Sequence, residues 1–368
     1  MTSAWNRTIG TADLEGLAGH IGPAPEDFQV TEIPAYLPSG QGDHCFVRIR
    51  KRGVGSPEAA ARLARAARVP VSGVGMAGMK DRWAVAEQWM SLPDTQPESM
   101  IGWMDGEVEV LEAMAHPHKL RTGHLRGNRF SIRLVESRPW DAVRAGALEE
   151  RIASMGLVNL FGPQRFGRDS DNAAHGIDVL LGRRAPRDRR QRRLLVSALQ
   201  SALFNDYLLE RFAWDQPLRP RRGEILERLS SGGLFPCGSP EEDEPRIRQG
   251  EVSLTGPIFG ARMRRPAPGS EAEALENAVL QGAGLGREAF DSQRKLAPGS
   301  RRPLLVRVEG LTITPLAEEG TLRVDVTLPP GVYATVLLHE LTHTPVKELR
   351  SPGAVHPEEE IGLPPGPS

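Results

Sequence analysis

Several short segments carry side chains whose types and spacing could do chemistry. The first is Ala77-Gly78-Met79-Lys80-Asp81-Arg82. Glycine before a basic-acidic-basic triplet lets the backbone turn sharply and present Asp81 near a sheet edge. Flanking Lys80 and Arg82 would hold the carboxylate ionised at neutral pH and attract a polyanion. A surface turn with an ordinary ion pair meets the same spacing. The second segment is Gly127-Asn128-Arg129-Phe130, which closes a basic stretch holding Lys119, Arg121, Arg126, Arg129 and Arg133. An aromatic beside an amide, amid cations, suits stacking and edge-reading of an unstacked base. A turn with Phe130 in the core would look the same. The third, Asn159-Leu160-Phe161-Gly162-Pro163-Gln164-Arg165-Phe166-Gly167, is a stiff turn with exposed donors, which alone reads as a domain hinge.

A fourth segment points elsewhere. His339-Glu340-Leu341-Thr342-His343 is a literal H-E-x-x-H on a predicted helix, in which two imidazoles could bind zinc with Glu340 as general base of a hydrolase. Its surroundings argue against that. Val346 stands where a metzincin needs glycine, Pro345 ends the helix, and Glu358 to Glu360 lie in a proline-rich tail rather than on a following helix. No metal is expected.

Taken in order, the first three segments resemble the tRNA pseudouridine synthase D (TruD) family. Further matching stretches are Pro25-Glu26-Asp27-Phe28 with Val30 and Glu32, Gly40-Gln41-Gly42-Asp43-His44 with Arg48, and Gln88-Trp89. Ser201-Ala202-Leu203-Phe204-Asn205, Gly256-Pro257, and Tyr333-Ala334-Thr335 with Glu340-Leu341 continue the series, so the resemblance spans about Gly22 to Leu341. It implies an α/β (α+β) pseudouridine synthase fold with a central mixed or antiparallel sheet, interrupted by a largely helical family-specific insertion, with a cleft between the two. It further implies isomerisation of a uridine in transfer RNA, typically at position 13, without metal or organic cofactor. Asp81 would be the catalytic carboxylate, attacking C1′ or taking a sugar proton. Phe130 would stack on the extruded base, Asn128 would contact its edge or ribose, and Phe28 and Tyr333 would line the pocket. From charge, Lys80, Arg165 and the run Arg183 to Arg193 would bind phosphates. The chain departs from the family pattern in two places. Gly22 stands where a lysine or arginine is usual, so a basic partner for Asp81 must come from elsewhere, with Arg48 or Lys80 as candidates. Ala86 stands where threonine is common. A non-catalytic RNA-binding module would keep the basic surface without needing Asp81.

The elements that must position these residues are legible as patterns. Asp27 to Ile33 and His44 to Arg50 alternate apolar with polar side chains, as half-buried strands do. Ser56-Pro57-Glu58 reads as an N-cap, a proline at the first helical position and an acid in the first turn. Val74 to Ala77, Ala84 to Ser91, Glu107 to Ala113 and Phe130 to Val135 are further strands, and a helix over Trp140 to Met155 ends at Gly156. From Val158 to Gly299 the texture turns helical and loop-rich. Strands return at Leu304 to Val308 and Leu322 to Leu328, before a last helix over Tyr333 to Leu341. The expected division is a discontinuous catalytic domain of 1–157 plus 300–345, an insertion of 158–299, and a flexible tail of 346–368.

Composition bounds the rest. The 368 residues suffice for a full core, and a formal net charge of -1 announces no whole-molecule field for nucleic acid. The cations are nevertheless almost all arginine, suited to forked phosphate recognition. The two cysteines, Cys45 and Cys237, stand in no metal-ligand spacing, which argues for a reducing compartment. With no apolar run of signal-peptide or membrane-span length, a cytoplasmic protein without membrane or obligate protein partner is expected.

Overall fold

Alternating side chains draw strands from both ends of the chain into one sheet. The computed structural model describes residues 7–167 and 169–350. Its first elements are β1 (His20–Ile21), β2 (Phe28–Pro34), β3 (His44–Arg52), α1 (Ser56–Ala67), β4 (Gly75–Met76), β5 (Val85–Pro93), β6 (Met104–Asp105), β7 (Val108–His116), β8 (Leu125–Val135) and α2 (Ala142–Met155). A long intervening stretch holds β9 (Leu157–Val158), α3 (Asn172–Leu180), α4 (Arg189–Phe212), β10 (Ile225–Arg228), β11 (Leu234–Pro236), α5 (Pro240–Gln249), β12 (Val252–Ile258), α6 (Glu271–Gly282), α7 (Arg287–Ser292), β13 (Ser300–Pro303) and β14 (Leu305–Val306). Then come β15 (Glu309–Pro315), β16 (Leu322–Leu328) and α8 (Ala334–Thr342).

The large sheet runs β15-β16-β8-β2-β5-β3-β7-β6, with β1 on β8 and β4 on β5. Its pairings are antiparallel except β2 with β5. β16 lies on β8 from Leu322 opposite Leu134 to Leu328 opposite Asn128. Helix α1 covers part of this sheet because its apolar stripe, Ala59, Ala60, Leu63 and Ala64, packs with Val47, Ile49, Met90 and Leu92 in one buried cluster. Ser56, expected as the cap, is instead the first helical residue after Gly55, which frees its hydroxyl for the site described below.

The chain divides into two compact units. One comprises Gly16–Ala153 and Arg307–Ala334 with the described part of Glu348–Ser368; the other comprises Ser154–Val306 and Thr335–Lys347 with the described part of Met1–Glu15. The sequence places 1–15 and 335–345 with the large sheet, whereas here Thr335–Lys347 and the described part of Met1–Glu15 belong to the inserted unit. Hydrogen bonds from residues 9 to 11 to Glu340 hold these two segments to each other, and Gly10 lies close against Met155 and Val158 of the inserted unit. The inserted unit has its expected helices and also a four-stranded sheet, β11-β10-β12-β13, which the sequence pattern missed. β11 is only 3 residues long, and β12 carries Gly256-Pro257, so neither shows a long alternation. The expected tail does not begin at residue 346. Val346–Glu348 form a 3₁₀ turn, Leu349 is fully buried, and its carbonyl accepts from Ile21 N–H at 2.7 Å. Residues 351–368 of that expected tail lie outside the described residues. No described helix is long and apolar enough to cross a membrane.

Candidate active site

The loop between β4 and β5 carries Asp81 and is pinned from below. Ser56 Oγ accepts from Lys80 N–H at 2.8 Å and donates to Gln88 Oε1 at 2.7 Å. The Lys51 ammonium donates to the Asp81 carbonyl oxygen at 2.6 Å. The Asp81 carboxylate accepts from Trp83 N–H at 2.9 Å through Oδ1 and from the Arg350 guanidinium through Oδ2. With Asp81 and Arg350 side chains 14% and 21% exposed, this is a sheltered ion pair that a ligand can still reach.

Arg350, not Arg48 or Lys80, is therefore the basic partner of Asp81. The Lys80 ammonium pairs with Glu32 inside the protein, where the two side chains are 4% and 1% exposed. That burial also removes Lys80 from the phosphate contact expected of it. Glu32 in turn accepts from Trp89 N–H at 3.2 Å. Arg48 is spent on Glu87 and Glu112. The glycine at position 22 has a local cause as well. A Cβ there would sit 2.2 Å from Asp27 Oδ2, and Asp27 is held in place by Ala24 N–H at 2.9 Å. Arg350 reaches the site through a parallel bridge to Ile21, the residue before that glycine.

Register sets the aromatic floor. Val30 faces Phe130 and Glu32 faces Asn128 across β2 and β8. Phe28 and Phe130 meet edge to face at 5.8 Å between centroids, and the Arg350 guanidinium lies 5.8 Å from the Phe28 ring centroid. Both rings are largely buried, so Phe130 is a core residue of β8 as well as a neighbour of the site. Asn128 Oδ1 is buried with no hydrogen-bond partner among the described residues. An acceptor left that way costs about 1–3 kcal/mol, and this one is open to a donor from outside the protein. Tyr333 is half-buried just before α8.

Arg165 belongs to the inserted unit, where asparagines stiffen its turn. The Asn205 side chain brackets Phe161, accepting from its N–H and donating to its carbonyl at 2.9 Å each. Arg165 donates to Ser201 Oγ at 3.1 Å and to Ser197 Oγ. No carboxylate pairs with it among the described residues. It lines a cavity of about 340 Å³ with Phe161, Ser197, Ser201 and Arg302, and the Arg302 guanidinium covers Phe161 at 4.2 Å. A cation bonded only to hydroxyls in such a hollow can still take an anion.

The H-E-x-x-H segment has other work. Glu340 accepts from Ile9, Gly10 and Thr11 N–H at 3.0, 3.0 and 3.1 Å and from the Thr11 hydroxyl at 2.9 Å. His339 Nδ1 bonds the Thr344 carbonyl at 2.7 Å, and His343 Nε2 lies 3.3 Å from the Thr11 hydroxyl. Among the described residues no group of three or more histidine, cysteine or carboxylate side chains could hold a metal.

The sequence reading missed Lys51, Glu32 as an ion-pair partner, and Arg350. Lys51 could have been found, because it sits in the apolar phase of a strand whose alternation is plain. Burial pushes its ammonium down to about 8, opposed by the charge of Asp81 and aided by Lys80 and Arg82.

Comparison with known proteins gives a consistent result. The sequence model for tRNA pseudouridine synthase D (TruD) matches residues 5–184 and 185–341. A tRNA pseudouridine synthase D from Anaeromyxobacter sp. (strain Fw109-5) is 44% identical over 340 residues, covering 90% of this chain and 94% of its own. A protein of that name from Thermus thermophilus is 38% identical, with 90% of each chain covered. A crystal structure of a Methanosarcina mazei protein described by the same name superposes with a TM-score of 0.75 over 93% of this chain and 97% of its own. At 20% identity that superposition speaks for the fold alone.

Proposed function

The chain belongs to the tRNA pseudouridine synthase D family, and from that premise we propose that it isomerises a uridine of transfer RNA, the one at position 13, to pseudouridine. The N1–C1′ bond breaks, the uracil turns while held, and a C5–C1′ bond forms. One proton leaves C5 and one is gained at N1, so no electrons are exchanged and no redox cofactor is called for. Asp81 supplies the carboxylate, by attack on C1′ or by removal of a sugar proton. Arg350 orients that carboxylate and balances its charge. Phe28, Phe130 and Tyr333 border the base, and Asn128 Oδ1 accepts a hydrogen bond from its edge or from a ribose hydroxyl.

Catalysis is assigned to the sheet unit. Arg165, in its hollow, and the arginine run that opens α4 are assigned to RNA phosphates. The reaction is assigned to the cytoplasm, where transfer RNA serves translation. The observation that carries this reading is a sheltered carboxylate, paired with one guanidinium, beside an aromatic pair and an unpartnered amide oxygen. Asp81→Asn keeps the size and hydrogen bonding of the side chain but can neither attack nor take a proton. It should abolish pseudouridine formation and leave transfer RNA affinity nearly unchanged. Turnover within about tenfold of the parent would remove Asp81 from the mechanism. Mapping pseudouridine in transfer RNA from cells lacking the protein tests the position.

A further inference from the structure

Along β3 the inward face reads Cys45, Val47, Ile49 and Lys51, all fully buried. The last of these breaks the pattern. A buried ammonium is costly unless it is paired, and the carboxylate that acts on this one, Asp81, is engaged with Arg350. Its cross-strand neighbours, Ala86 on β5 and Val108 on β7, have no side-chain acceptor to give. What it holds is a backbone atom, the carbonyl oxygen of Asp81 at 2.6 Å. The charged groups acting on it are those of the same loop: Asp81, which favours its charge, and Lys80 and Arg82, which oppose it. A structural need for apolar packing would be met better by methionine or leucine.

We propose that Lys51 is a positioning residue for the isomerisation: its ammonium fixes the backbone that presents the Asp81 carboxylate and places a second positive charge beneath it. The inference rests on the isomerase reading given above. Since burial brings this ammonium to about 8, its charge is lost just above neutral pH, and turnover should fall there.

The test uses the full-length protein and a transfer RNA transcript, with Lys51→Met and Lys51→Arg. K51M removes a buried unpaired charge at similar volume, so its thermal midpoint should match or exceed that of the parent. Its kcat should fall by about tenfold or more while KM stays within about threefold. K51R should restore most of the loss and keep its kcat at alkaline pH, where the parent declines. A K51M protein with undiminished kcat, or one whose only defect is a lowered thermal midpoint, overturns the proposal. A parent protein that makes no pseudouridine in any transfer RNA fails the isomerase reading itself, a different result from an active enzyme indifferent to Lys51.

Discussion

With the Arg350 guanidinium removed, the Asp81 carboxylate would keep a single described side-chain hydrogen bond, from Trp83 N–H. Arg350→Ala should therefore loosen the carboxylate and lower kcat by about 10–100-fold, with a smaller change in KM. Arg350→Lys should recover only part, because an ammonium cannot both meet Asp81 and lie over Phe28 as the planar fork does. Steady-state kinetics of the two variants checks both statements. Asn128 should behave in the opposite sense in a stability assay. Its buried oxygen lacks a partner, so Asn128→Ala should leave the unfolding midpoint unchanged or raised while activity drops. Lys51 adds a pH dependence of stability with a definite sign. Between its folded value of about 8 and its ordinary 10.5, the unfolded chain binds more protons than the folded one. Stability at this site thus rises with pH through that window, and K51M should flatten the rise in urea midpoints.

Among elements, the buried Glu32–Lys80 pair ties β2 to the loop that carries Asp81. Glu32→Gln would leave an ammonium buried without its counter-charge and should cost about 3–5 kcal/mol in chemical denaturation. Glu340 is a comparable tie on α8, gripping backbone amides at positions 9 to 11. Glu340→Ala should cost about 2–4 kcal/mol, and elemental analysis of the parent protein should find no stoichiometric zinc. One zinc per chain, lost together with activity on chelation, would contradict this account. At this scale the sequence was informative wherever period two was clean. β16 was legible to the residue as Leu322–Leu328, and β2 and β3 nearly so, because one face of each strand meets a core. β15 and the short strands of the inserted unit were not, since few residues alternate before a glycine or proline intervenes. Ser56 was misread as a cap because its type suits a cap; its hydroxyl is claimed by Gln88 and Lys80, partners that no local pattern reveals.

For the molecule as a whole, a near-neutral chain must concentrate charge to hold a polyanion, and the stretch entering α4 does so. Arg187, Arg189 and Arg190 are exposed. Replacing them with alanine should weaken transfer RNA binding and reduce its salt dependence by about one unit of log–log slope per lost contact. Filter binding across salt concentrations decides, and an unchanged slope would make the run a solvated face. The whole-chain arrangement is also where sequence reading had least to offer. Gly22 signalled that Asp81 lacked its usual neighbour, but a substitute far along the chain leaves no trace in spacing.

The docking of Leu349 and Arg350 beside Ile21 has a consequence for synthesis. Translation delivers Phe28, Lys51, Asp81, Asn128 and Phe130 early and Arg350 long after them. A nascent chain on the ribosome can thus hold a folded sheet and an aromatic floor while its carboxylate still lacks a guanidinium. The protein should gain activity in one late step, when residue 350 clears the exit tunnel. A chain stopped at Leu349 should accordingly match Arg350→Ala in turnover, which ties catalytic competence to the delivery of Arg350.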